Sequence, residues 1–182
     1  MRSTMAPLIL CGLGLWLGGC SLDFAGFYPP LPTVPELDLA RYAGKWYEIA
    51  RYPNWFERGC EGVTAEYTPR DDGSVGVLNI CRNADGTEAS RIEGRATRPD
   101  AAEPGKLSVF FATSPFGAPY WVLALGDDYE YAVVGEPSRG TFWILSRTPQ
   151  MDPAVYAALV AQMPDWGYDA DRLELVNQPE AP

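Results

Sequence analysis

The sequence predicts an all-β protein, an eight-stranded antiparallel up-and-down β-barrel with a C-terminal α-helix packed outside it. Three observations predict this fold class. Eight short segments rich in β-branched and aromatic residues follow one another with short connections, most of them bounded by Gly, Asp or Pro. The hydrophobic period becomes helical only after the eighth segment. A meander of eight strands leaves unpaired edges unless the sheet closes on itself, which favours a barrel.

Residues 1–19 predict a secretory signal peptide that is not part of the fold. Arg2 supplies its positive charge, and the apolar run at 8–17 is too short to span a bilayer permanently. The boundary at 17–20, Leu-Gly-Gly-Cys, resembles the lipobox of bacterial lipoproteins. That resemblance implies that Cys20 carries lipid, and Ser21 after it implies the bacterial outer membrane, on the periplasmic side. A plain signal peptide with an incidental cysteine is the alternative.

The remaining chain divides into a tether, one domain and a short tail. Residues 20–37 are rich in proline and predict an extended, semi-rigid tether from Cys20. The barrel domain is expected over 38–178, followed by a C-terminal tail at 179–182. One helical turn at 37–42 is expected first, capped by Asp38.

The strands are then expected in an unbroken series. Asp71-Asp72-Gly73 reads as a three-residue hairpin loop with Gly in the left-handed position. Such a loop pairs Tyr67 with Val77 and Ala65 with Asn79, which places Tyr67 and Asn79 on one face. A two-residue loop would break this register. The eight strands are predicted at 46–52, 63–67, 75–79, 89–97, 106–112, 118–125, 129–134 and 141–146.

The helix signal follows the eighth strand. Asp152 is a capping residue and Pro153 suits the first helical position. Apolar residues recur at helical spacing until Pro164, which ends the run. A short strand is expected at 173–176.

Composition excludes several classes of function. The chain has no histidine, which removes Ser-His-Asp and Cys-His catalysis and His-ligated zinc. Without Arg2, 13 basic residues face 24 acidic ones, a net charge of −11, which argues against nucleic acid. We expect no metal and no cofactor.

Only Cys60 and Cys81 remain once the signal and Cys20 are set aside. In an oxidising periplasm the pair favours a disulfide, with two free thiols as the alternative. In the predicted register Cys81 faces Val63, so the chain before Val63 must curl back to bring the Cα atoms within about 7 Å.

Several motifs resemble the lipocalin family, in consistent order over roughly 38–178. GKWYEIA at 44–50 resembles the first lipocalin signature, GDDYEYAVVGEP at 126–137 the second and FWILSRTP at 142–149 the third. FERG at 56–59 and APYWVLAL at 118–125 resemble bacterial outer-membrane lipocalins and apolipoprotein D. The resemblance implies that Trp46 plugs the closed end of the barrel and that the Arg147 guanidinium lies across its indole.

The resemblance also implies a ligand pocket. Apolar rings, phenols and one amide suit a fatty acid or lysophospholipid with its polar head at the mouth. Arg51, Arg58 or Arg82 near the rim would compensate an anionic head group. The implied lining residues are Phe56, Tyr67, Asn79, Phe111, Tyr120 and Trp143.

Carriage of such a lipid is therefore the expected function, and an enzyme is not expected. The alternatives are a lipocalin-fold enzyme acting on a lipid or related small molecule, and a structural envelope lipoprotein whose barrel is filled by side chains. Glu48, two residues after Trp46, shares its face and is a candidate for a structural, ligand-anchoring or acid–base role. The membrane anchor and the lipid ligand are the expected partners, and the sequence leaves a homodimer open.

Overall fold

Eight antiparallel strands close into a barrel in the computed structural model, which describes residues 28–179. The expected signal peptide and Cys20 lie outside the described residues. Consecutive strands pair with one another, and β1 pairs with both β8 and β2 to complete the ring. The strands are β1 Gly44–Arg51, β2 Gly62–Pro69, β3 Val75–Arg82, β4 Glu88–Thr97, β5 Lys106–Phe111, β6 Ala118–Leu125, β7 Tyr131–Gly135 and β8 Phe142–Ser146.

The predicted register of the β2–β3 hairpin is confirmed. Tyr67 pairs with Val77 and Ala65 with Asn79. The three-residue loop is closed by a hydrogen bond of 2.9 Å from the Arg70 amide to the Ser74 carbonyl. The period-2 rule then places Tyr67 and Asn79 on the same face of the sheet.

The seventh strand begins two residues later than predicted. β7 starts at Tyr131, whereas the sequence pattern places its start at Tyr129. Tyr129 has a left-handed backbone with φ of 60°, and its amide donates to the Gly126 carbonyl at 2.8 Å. This turn takes Tyr129 out of the ladder, although its side chain is buried.

Within the described residues, one α-helix precedes the eight barrel strands and one follows them. α1, Leu39–Tyr42, is capped by the Asp38 carboxylate, which accepts from the amides of Ala40 and Arg41. α2, Pro153–Gln162, is capped in the same way by Asp152 and continues into a 3₁₀ turn at Met163–Trp166. Within residues 28–179, no helix has both the length and the apolar character needed to cross a bilayer.

The barrel wall separates two hydrophobic cores. One fills the lower interior, around Trp46, and the other lies between the outer wall and α2. The outer core depends on large side chains that leave almost no surface exposed, because α2 covers them. Its members from the barrel and from the segment after α2 include Tyr52, Phe142, Ile144, Met163, Trp166 and Tyr168.

The connections define two ends of the barrel. We call the end with the loops 52–61, 83–87, 112–117 and 136–141 the mouth. The closed end carries the loops 70–74, 98–105 and 126–130, together with α1. Alternate connections lie at the same end because every neighbouring pair of strands is antiparallel.

A seam between β1 and β2 is completed by the C-terminal segment. β1 pairs with β2 only up to Tyr47, and above that point it pairs with the short strand β9, Glu174–Leu175. The side-chain amide of Gln178 donates to the carbonyls of Glu48 at 2.6 Å and Val63 at 2.9 Å. The last described residues therefore bridge the gap that the ladder leaves open.

The proline-rich segment before the barrel is more than a free tether. Leu31 packs into the outer core, and Leu37 packs into the inner core. Between them, the Val34 amide donates to the Val122 carbonyl at 2.9 Å. We call residues 28–37 the strap, because they lie along the barrel over their whole length.

Candidate functional site

Trp46 and Arg147 seal the closed end of the barrel. The Trp46 side chain is completely buried, and the guanidinium carbon of Arg147 lies 3.8 Å from the centroid of its ring. A planar cation stacked on an indole is a favourable pair, and Arg supplies donors around its edge as well. Arg147 donates to the carbonyls of Arg41 at 2.7 Å, Ala43 at 2.9 Å, Lys45 at 3.1 Å and Tyr129 at 3.1 Å.

Gly44 allows the backbone to adopt the conformation that this stacking requires. Its φ is +91°, a conformation that L side chains rarely adopt. A Cβ there would lie 3.4 Å from Nη1 of Arg147, an ordinary van der Waals contact, so the positive φ is what requires a glycine. The glycine two residues before Trp46 therefore lets β1 begin directly beneath the guanidinium.

Three tyrosine hydroxyls form a cluster above this floor. The Tyr120 hydroxyl lies 2.7 Å from that of Tyr42 and 2.9 Å from that of Tyr67. Burial raises the pKa of Tyr67 to about 12 and the pKa values of the other two above their usual range. The cluster is therefore neutral, and its hydroxyls satisfy one another.

The wall above the floor carries the remaining residues that the family resemblance implies for a pocket. Phe111, Tyr120 and Trp143 are half-buried and pack against the inner core. Phe56, half-exposed on a mouth loop, lies 6.4 Å from Trp143 between ring centroids. Together with Tyr67 at the floor, they form an aromatic surface that runs from the closed end to the mouth. We call this inner surface the cup.

Asn79 places an unsatisfied acceptor on the wall of the cup. The register with Ala65 puts Asn79 on the inner face of β3. Its Oδ1 atom is buried and has no hydrogen-bond partner within the described residues. A buried acceptor without a partner costs free energy, so a ligand donor at this point would stabilise the site.

A charged cluster lies in the upper part of the cup. Glu48 is buried on the inner face of β1, and its carboxylate accepts from Nη1 of Arg51 at 2.8 Å. The Glu57 carboxylate lies 3.7 Å from Nε of Arg51 and accepts hydrogen bonds from the Asn54 side-chain amide and, at 3.4 Å, from the Trp143 indole. The Arg51 guanidinium therefore pairs with two carboxylates.

Burial, and to a smaller extent the charge of Glu57, raises the pKa of Glu48 to about 8 in spite of its contact with Arg51. Glu48 and Arg51 are candidates from the sequence alone, whereas Glu57 is not. Glu57 lies on an irregular loop, where no periodic pattern indicates which way a side chain points.

The other two arginines considered for the rim have different surroundings. Arg58 is exposed and lines a surface cleft of about 330 Å³ at the mouth, beside Arg51, Trp55 and Glu174. Arg82 donates to the Gly86 carbonyl of its own hairpin at 3.1 Å. Arg51 is therefore the arginine that reaches the interior.

The predicted disulfide is present between Cys60 and Cys81, whose Cα atoms are 5.2 Å apart. Cys81 pairs with Val63 as expected, and the chain before Val63 turns back through a hydrogen bond from the Cys60 amide to the Glu57 carbonyl. Nη2 of Arg51 donates to the Cys60 carbonyl at 3.2 Å. The bridge therefore holds the loop 52–61, and with it the charged cluster, against β3.

We expect the double substitution Cys60→Ser with Cys81→Ser to lower the free energy of unfolding by about 2 kcal/mol. Without the cross-link, the unfolded chain recovers the conformational entropy that the closed loop removes. Urea unfolding with and without reductant measures the effect. Reductant should destabilise the wild type and leave the double variant unchanged. An equal loss in both proteins would contradict the assignment.

The closed barrel, its stacked Trp–Arg floor and its aromatic cup define a class of protein. The chain belongs to the lipocalin-like family, whose domain matches residues 37–178. Members of this family bind small hydrophobic molecules. The family resemblance found in the sequence is thereby confirmed.

Particular relatives are found in bacteria and in animals. Outer membrane lipoprotein Blc of Escherichia coli (strain K12) is 40% identical over 153 residues, which cover 83% of this chain and 86% of that protein. Its namesake in Vibrio cholerae serotype O1 is 37% identical over 172 residues, covering 94% and 96%. Apolipoprotein D of Bos taurus is 35% identical over 165 residues, covering 86% and 85%.

Solved structures share the fold. Insecticyanin from the tobacco hornworm Manduca sexta superposes with a TM-score of 0.64 at 24% identity, covering 84% of this chain and 90% of that one. Lobster apocrustacyanin A1 gives a TM-score of 0.62 at 21% identity, covering 82% and 91%. At these identities the likeness concerns the fold alone.

Proposed function

We propose that the protein carries a fatty acid or lysophospholipid in its cup, as a lipid-anchored protein of the bacterial outer membrane. The observation that carries this proposal is the contrast between the two halves of the barrel interior. Most of the lower inner face is buried, whereas Phe111, Tyr120 and Trp143 above it keep part of their surface accessible. A barrel filled by its own side chains, as a purely structural protein would have, would bury both halves alike.

The chemistry of the cup suits a ligand with one acyl chain and one polar head. The aromatic wall offers apolar surface, and burial of an acyl chain against it contributes about 0.8 kcal/mol per methylene group. The polar groups are Arg51 in the upper part of the cup and the free acceptor of Asn79 on its wall. An anionic head at the mouth would share the Arg51 guanidinium with Glu48 and Glu57.

The membrane location is supported by separate observations. The sequence at 17–20 resembles a lipobox, and relatives with the name outer membrane lipoprotein align over most of the chain. An acylated Cys20 would hold the barrel at the membrane surface without a spanning segment.

Displacement of a fluorescent fatty acid from delipidated protein tests carriage. We expect Ala65→Phe to raise the Kd of the probe about tenfold, because Ala65 faces the cup between Trp46 and Asn79 and a phenyl ring there occupies the space of the ligand. Ala158→Phe makes the same substitution on the exposed face of α2 and should leave the Kd unchanged. Unlabelled fatty acid and lysophospholipid serve as competitors.

Absence of saturable probe binding to the delipidated wild type would overturn the proposal. Equal effects of the two phenylalanine variants would show that the probe binds outside the cup. Competition by neither natural lipid class would also contradict it.

A further inference from the structure

The exposed apolar side chains are concentrated toward one end of the molecule. Within residues 28–179, Trp55 on one mouth loop is 79% exposed and Phe116 on another is 78% exposed. The two loops join β1 to β2 and β5 to β6, so the order of strands around the barrel places them on opposite sides of the opening. Phe56 also lies on a mouth loop, whereas the closed-end loops carry no large exposed apolar side chain among the described residues.

The strap shows where the chain arrives at the barrel. Arg139, on the mouth loop 136–141, is buried and donates from Nη2 to the Pro29 carbonyl at 2.7 Å. Its guanidinium carbon lies 5.0 Å from the centroid of the Tyr28 ring. At the other end of the strap, Arg98 of a closed-end loop donates to the Leu37 carbonyl at 2.7 Å. The strap therefore begins at the mouth and ends at the closed end.

The length of chain before the strap limits how the barrel can stand on a membrane. Seven residues separate Cys20 from Tyr28, and the eight Cα–Cα steps between the two reach at most about 29 Å when fully extended. A strand of eight residues, such as β1, is itself about 27 Å long. An anchor at Cys20 keeps the mouth near the bilayer easily. Turning the closed end to the bilayer would use most of this reach, since strands tilted by about 40° span roughly 20 Å along the barrel axis.

Charge favours the same orientation. The closed-end loops carry seven acidic residues against two arginines, whereas the mouth loops carry four acidic residues against two arginines. A strongly acidic surface is repelled by anionic lipid head groups. The closed end is therefore the less favourable end to approach a membrane.

We propose that the mouth faces the bilayer that holds the anchor, with Trp55 and Phe116 in the head-group region on either side of the opening. The proposal rests on the anchor proposed at Cys20. Aromatic side chains suit this depth, because indole and phenyl rings are favoured at membrane interfaces. An acyl chain then passes between the bilayer and the cup without crossing open water.

The test places one environment-sensitive fluorophore at either end of the full, lipidated protein. Phe116→Cys labels the mouth and Asp128→Cys, an exposed position in the loop 126–130, labels the closed end. Both proteins are reconstituted into vesicles of phosphatidylethanolamine and phosphatidylglycerol with spin-labelled lipid as quencher. We expect the label at 116 to lose about half its emission and the label at 128 to be unaffected.

Vesicle flotation separates this proposal from that of the anchor, and fatty-acid displacement separates it from carriage. If the protein floats with the vesicles and the label at 116 is not quenched, the orientation is wrong. Stronger quenching at 128 would reverse it. A label at 116 that is shielded from water but insensitive to the spin-labelled lipid would show that a second copy of the chain covers the mouth, and would likewise overturn the proposal.

Discussion

Replacing Trp46 with alanine is expected to lower the free energy of unfolding by about 4 kcal/mol, the usual cost of truncating a buried tryptophan. The side chain is completely buried at the closed end, and its Nε1 donates to the Tyr42 carbonyl at 2.8 Å. Its removal opens a cavity below the tyrosine hydroxyls. It also takes away the ring on which Arg147 stacks.

Urea unfolding of the variant measures this loss, with Trp55→Ala as the matched control. Trp55 is 79% exposed, so the same substitution there should change stability by less than about 0.5 kcal/mol. Trp46→Phe keeps an aromatic ring for Arg147 and should recover part of the loss, which gives a second measurement if the alanine variant does not fold. Equal effects of Trp46→Ala and Trp55→Ala would contradict the role of Trp46 as the floor.

The second large effect is on the dependence of stability on pH. Because the pKa of Glu48 is about 8 in the folded protein and near 4.5 when exposed, the unfolded chain releases this proton first as pH rises. The titration of Glu48 should therefore lower the free energy of unfolding of the wild type by about 3 kcal/mol between pH 5 and pH 8. Glu48→Gln resembles the protonated form and should remove this loss.

Unfolding in urea at pH 5, 6.5 and 8 tests the expectation. Arg51, Glu57 and Tyr67 are the charged or titratable groups that act on Glu48, and all three are retained in the variant. Glu66→Gln, an exposed position on β2, is the matched control and should follow the wild type. Parallel pH curves for Glu48→Gln and the wild type would show that Glu48 is already ionised in the folded state.

Much of the fold could be predicted because it depends on local signals. The three-residue loop at Asp71-Asp72-Gly73 sets the pairing of Tyr67 and Asn79, and the side-chain period of two does the rest. The cap at Asp152 followed by Pro153 marks the start of α2. The positive φ of Tyr129 could not be predicted from the sequence, because an aromatic residue is not expected in that conformation.

Only part of the site could be predicted from the sequence. The stacking of Arg147 on Trp46 was implied by family resemblance, and strand alternation supported the inward position of Asn79. The Glu57 contacts and the docking of the strap depend on irregular segments that pack against residues far away in the chain. Proline content indicates an extended backbone at 28–37, but it carries no information about the surface that Leu31 meets.

The bridge made by Gln178 has a consequence for the order of events during synthesis. The two carbonyls that it joins belong to the first and second strands, yet the amide that joins them follows all eight barrel strands in the chain. The ladders between consecutive strands can form earlier, but the upper part of the joint between β1 and β2 stays open until Gln178 has been made. A product that ends before Gln178 would consequently leave the gap between β1 and β2 open.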